Sequence, residues 1–169
     1  MKLTHAICAA TLVVSSVASA LATAQSIAEV SKSVDSLLPL EHRFAVARKN
    51  LHDVTKKLDK NTPEFLAAHE IVVTSGEVYG NYEAVALLGM VLQRGRCTDD
   101  FEVHQKVLDI AATDFIPVSE RFLQETNELL PSIRNPAALD AATKLRDIVA
   151  EIQDVVSPFA DTEKSTTRR

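Results

Sequence analysis

Apolar residues recur at intervals of three and four along nearly the whole chain, and no Val, Ile, Thr or aromatic run alternates with the period of two that a half-buried strand needs. Only four glycines, at 76, 80, 89 and 95, interrupt the 169 residues. An all-α fold follows from this pattern. The first helix is expected from about Ser26 to Lys60, with Leu37, Leu40, Phe44, Ala47, Leu51, Val54 and Leu58 on one face. Thr62-Pro63 reads as a capping hydroxyl followed by proline at the first helical position, and opens a second helix to about Arg94. Its expected stripe is Phe65, His69, Val72, Gly76, Tyr79, Glu83, Ala86 and Met90, with Ile71, Val78, Val85 and Leu92 as a second apolar line that makes it the most enclosed helix.

Asp99 and Glu102 have capping-box spacing and open a third helix whose stripe is Phe101, His104, Leu108, Ala111, Phe115, Val118, Phe122, Glu125 and Leu129. Asn135-Pro136 opens the fourth, lined by Ala138, Ala142, Leu145, Val149, Ile152 and Val156, and Ser157-Pro158 is expected to stop it. Proline removes a ladder hydrogen bond and restricts the residue before it, so kinks are expected near Pro39 and Pro117. Helices of about 30 residues span roughly 45 Å, and turns of a few residues force neighbours to run antiparallel. The expected architecture is an up-down-up-down four-helix bundle of long helices over residues 25–159, followed by a disordered polar tail, 160–169.

The first 24 residues have the grammar of a secretory signal peptide. Lys2 supplies the cationic start, Ala6 to Val14 the apolar run, and Ala22-Thr23-Ala24 a small-x-small cleavage site, with Ala20 as an alternative. The expected location is therefore secreted or periplasmic. Without Lys2 the mature chain carries 17 Lys and Arg against 23 Asp and Glu, a net charge of −6. Such a surface repels phosphate backbones and anionic headgroups, which argues against nucleic acid as a partner. The longest apolar stretch left after cleavage, Ala84 to Leu92, falls far short of the roughly 20 residues that span a bilayer, so no stable membrane insertion is expected.

Removal of the signal takes Cys8 with it and leaves Cys97 alone in the reversal between Gly95 and Asp99. An exposed thiol there can join two copies through an intermolecular disulfide, so a homodimer is one expected arrangement, and no internal disulfide framework exists. If each reversal is symmetric, His52, His69, Glu125 and Asp140 come to the same height at one end of the bundle. Two imidazoles and two carboxylates are donors that a divalent metal accepts. The plainer expectation for the same residues is a buried His69 and Glu125 ion pair that fixes the register. Di-iron bundles use Glu-x-x-His pairs, which this chain lacks; His104 near Met90 has no Cys-x-x-Cys-His beside it to hold haem; and no histidine is placed to activate Cys97 as a nucleophile. No cofactor is expected apart from that possible divalent metal. The charges flanking residues 94–102 suit the helix ends they sit on without any ligand.

These features favour a non-enzymatic bundle that binds another protein, as an inhibitor, immunity or chaperone-like factor would. A binder of metal or a small ligand is the alternative, and a small helical enzyme the third reading.

Overall fold

The computed structural model describes residues 35–93 and 106–166. All its regular elements are helical. Helix α1 covers residues 35–55, α2 covers Pro63–Gln93, and α3 covers residues 106–129; a 3-10 turn, Leu130–Ser132, leads to α4, Pro136–Thr166. The expected signal peptide and the start of the first helix lie outside the described residues, as does the 94–105 reversal with Cys97 and the Asp99 cap.

Two of the helix starts are built as their sequences dictate. The Thr62 hydroxyl accepts the Phe65 backbone N–H at 3.2 Å, while the Asp59 carboxylate accepts the Asn61 N–H at 3.0 Å and turns the chain into α2. Asn135 Oδ1 accepts the N–H groups of Ala137 and Ala138 at 3.0 and 3.1 Å. A carboxylate from another helix completes this second cap. Glu64, in the first turn of α2, accepts the Arg134 N–H at 2.9 Å and also the Asn135 N–H. The starts of α2 and α4 are thereby tied together.

The core follows the expected apolar lines in α1 and α4. Leu37, Leu40, Phe44, Ala47 and Leu51 are buried in α1, and Ala138, Ala142, Leu145, Val149, Ile152 and Val156 in α4. In α2 the fully buried line is Ala68, Ile71, Ser75, Val78, Tyr82 and Val85, which includes three residues of the expected second line, whereas His69 and Glu83 of the expected main stripe are exposed. Both lines are largely apolar, so periodicity alone fixes the stripe only to within one residue, a rotation of about 100°. Across α1 and α2, contacts that advance along one helix retreat along the other. Tyr82 donates its hydroxyl to the Leu37 carbonyl, Tyr79 stacks on Phe44 with ring centroids 5.6 Å apart, and Arg48 Nε donates to Ser75 Oγ at 3.0 Å.

Pro39, Pro117 and Pro158 all lie within helices. Residues 35–55 are helical without a break at Pro39. Before Pro117 the chain makes a π-helical turn, Ala111–Phe115, in which the Ile116 N–H reaches Ala111 O, and regular helix resumes over Ile116–Leu129. A turn widened by one residue is one of the recognised ways to carry a proline inside a helix. In α4 the expected stop at Pro158 does not occur: the helix runs through it to Thr166. Ser157 donates to the Gln153 carbonyl at 2.8 Å in the same turn. Among the described residues no helix is long and apolar enough to cross a membrane.

Candidate functional site

Two surface features stand out once the core is accounted for. The first is a groove of about 430 Å³ between α1 and α2, lined by Ala45, Arg48, Lys49, His52, Val72 and Tyr79. Positions 45, 48, 49 and 52 of α1 share one face by helical spacing, and 72 and 79 of α2 are two turns apart. The groove's centre is Arg48. Its guanidinium lies along α2, where Ser75 accepts Nε, and a Cβ placed on Gly76 would stand 3.2 Å from Nη2. Ser75 is fully buried and donates its own proton to the Val72 carbonyl at 2.7 Å, so its oxygen is held facing Arg48. Tyr79 donates to Glu41 Oε1 at 3.4 Å, and burial, then the nearby Glu41 charge, raise the phenol pKa above its usual value. On the rim, Lys49 is paired with Asp53, and that hydrogen bond holds the Asp53 carboxyl below the usual carboxylate range.

A second, shallower groove of about 470 Å³ between α1 and α4 includes Arg43, Val46, Asn50, Lys144, Asp147 and Glu151. Its cations are already matched. Arg43 meets Glu151 at 2.9 and 2.8 Å through Nη1 and Nη2, and Lys144 meets Asp140 at 2.7 Å. Among the described residues, no carboxylate forms an ion pair with Arg48.

The second feature is the outer face of α2. Leu66 is 61% exposed, Val73 52% and Leu87 52%, at intervals of seven and fourteen residues, with the exposed Gly80 at the intervening heptad position. Glu70, Glu77 and Glu83, all exposed, flank this row. The sequence expectation of an enclosed α2 thus fails on one side. The seven-residue recurrence of Leu66, Val73 and Leu87 was visible in the sequence, but it gave no sign that this line faces outward.

The expected metal ligands do not converge. Among the described residues, no three His, Cys, Asp or Glu side chains gather to hold an ion. His52 is exposed on the rim of the Arg48 groove, His69 is exposed and stacked on Phe65 with centroids 5.5 Å apart and an interplanar angle of 8°, Glu125 is half-buried, and Asp140 pairs with Lys144. Neither does His69 form an ion pair with Glu125. The inward faces differ from the expected ones: His69 lies one residue off the buried line of α2, on its exposed side, and the buried line of α3 passes through Phe115, Ser119, Phe122 and Thr126, which puts Glu125 on its flank. Arg121 on α3 reaches Glu77 on α2 instead.

Sequence reading missed Arg48, Ser75 and Gly76 as a group. The available signal was an arginine on the α1 flank and a glycine mid-helix in α2, joined only by the antiparallel pairing. Comparison with protein-family models, with curated proteins and with solved structures finds no match.

Proposed function

We propose that this protein is an extracytoplasmic, non-enzymatic up-down-up-down four-helix bundle that binds another protein through the outer face of α2. The observation that carries the reading is the row Leu66, Val73 and Leu87. Large exposed apolar side chains in a row mark an interaction surface. Heptad spacing selects a helical partner, because only a second helix repeats its contacts every seven residues. The flanking Glu70 and Glu83 select one with basic flanks, and they disfavour a second copy of α2 on the same face.

Antiparallel pairing of all four helices is part of the proposal. Contacts of α1 with α2, the tie between the starts of α2 and α4, and the Arg43 pairing with Glu151 support it.

The test places a photoreactive amino acid at Val73, or at Asn50 as a control, and irradiates the native envelope fraction. A discrete adduct from position 73 alone, mapping to a basic-flanked amphipathic helix in the adducted protein, is the expected result. Equal adducts from both positions, or none from 73, would overturn the reading.

A further inference from the structure

Arg48 carries more hydrogen-bonding capacity than the fold uses. A guanidinium has five N–H donors, and only Nε is engaged among the described residues, by a buried serine that is itself fixed on the Val72 carbonyl. Half-burial in a groove, with no carboxylate partner among the described residues, leaves the Nη1 and Nη2 edge as a planar fork of the kind that binds a carboxylate through two parallel hydrogen bonds. Lys49 and His52, one and four residues on, add cationic or polar character on the same side, while Ala45, Val72 and the Tyr79 ring supply apolar wall. At about 430 Å³ the groove lies in the size range of small-molecule sites, toward the smaller end.

We propose that the α1–α2 groove is a binding site for a small organic carboxylate with an apolar body, whose carboxylate is received by Arg48. Ser75 is a positioning residue: it holds the guanidinium by Nε so that the fork faces the groove. A side chain at Gly76 would crowd the guanidinium, since its Cβ would stand 3.2 Å from Nη2. The arginine in the α1–α4 groove provides the contrast, since Glu151 already occupies its fork. The site rests on a different observation from the docking face of α2, and either reading can fail without the other.

The test titrates octanoate into the purified protein and follows backbone amide shifts by NMR. Saturable binding is expected, with shifts concentrated at residues 45–52 and 72–79. Arg48→Gln should weaken it by about tenfold or more, the scale of a lost charge-assisted contact. Ser75→Ala should weaken it severalfold, and Lys144→Gln, in the other groove, should leave it unchanged. Octyltrimethylammonium, with the same tail and the opposite charge, should not bind. If Arg48→Gln fails to fold, Gly76→Ala serves instead, because the substitution favours helix while crowding the guanidinium, and it should bind octanoate more weakly than the parent. Absence of saturable octanoate binding, equal binding by Arg48→Gln or Gly76→Ala, or inorganic phosphate binding as tightly as octanoate would each overturn the proposal.

Discussion

Tyr82 shows how one side chain can tie two helices. Its ring is fully buried in α2 and its hydroxyl donates to the Leu37 carbonyl of α1, so Tyr82→Phe keeps the packing and removes only the hydrogen bond. The expected loss is about 1 to 2 kcal/mol in chemical denaturation at neutral pH. Burial, then the nearby Glu41 charge, raise the phenol pKa above 10.0, which is its value in the unfolded chain. Folding therefore favours the protonated phenol; its contribution is complete below pH 10 and fades as pH rises above it, because the unfolded chain releases the proton first. Stability measured from pH 8 to 11.5 should fall more steeply above pH 10 in the parent than in Tyr82→Phe. Parallel curves would show that Tyr82 is not held as described. The two α2 glycines offer a second comparison. A Cβ on Gly80 meets nothing within 4 Å, whereas one on Gly76 meets Arg48 at 3.2 Å. Gly80→Ala should stabilise by about 0.5 to 1 kcal/mol through helix propensity, and Gly76→Ala by less, as read from unfolding midpoints.

At the scale of elements, the tie between Glu64 and the start of α4 is the most exacting feature. Glu64 receives two backbone N–H groups at the α4 start while Asn135 caps that helix from within. Asn135→Ala should cost about 1 kcal/mol as a lost cap, and Glu64→Ala somewhat more as a lost charge-assisted acceptor. Because both secure the same turn, the double variant should lose less than the two single losses combined; strict additivity would separate them. Caps of this kind are legible in sequence, since Thr62-Pro63 and Asn135-Pro136 act through residues only two or three positions away. Proline effects were less so. Pro158 satisfies the local rule for a helix end, yet α4 continues through it, and the disturbance at Pro117 takes the form of a π-helical turn that no residue type announces. The Glu64 contact lies 70 residues from its partner in sequence, and no local pattern points to it.

Across the whole molecule, apolar burial and not surface charge holds the helices. The Arg43 pair with Glu151 and the Arg121 pair with Glu77 join different helices, yet their side chains are 51% and 48%, and 57% and 61%, exposed. Exposed pairs contribute little and are screened by salt, so raising NaCl from low to about 1 M should change stability by no more than about 1 kcal/mol. A larger loss would mean that charge carries part of the fold. The helical class and the apolar faces of α1 and α4 were readable because each is set by local periodicity. The convergence of His52, His69, Glu125 and Asp140 was not readable, because periodicity fixes an inward face only to within one residue, and that rotation of about 100° carries His69 from the core line to the surface. Nor was the Arg48 groove, whose two walls meet only when α1 and α2 are paired.

The docking face of α2 is tested most directly by thiol protection. With Cys97 replaced by serine, Leu66→Cys, Val73→Cys and Asn50→Cys are labelled with a polar maleimide, once as purified protein and once in the native envelope fraction. Rapid labelling of all three is expected when purified, with strong protection of positions 66 and 73, but not 50, in the envelope. Slow labelling of 66 and 73 in the purified protein would mean that the chain covers this face itself, and equal rates in both samples would mean that nothing binds there.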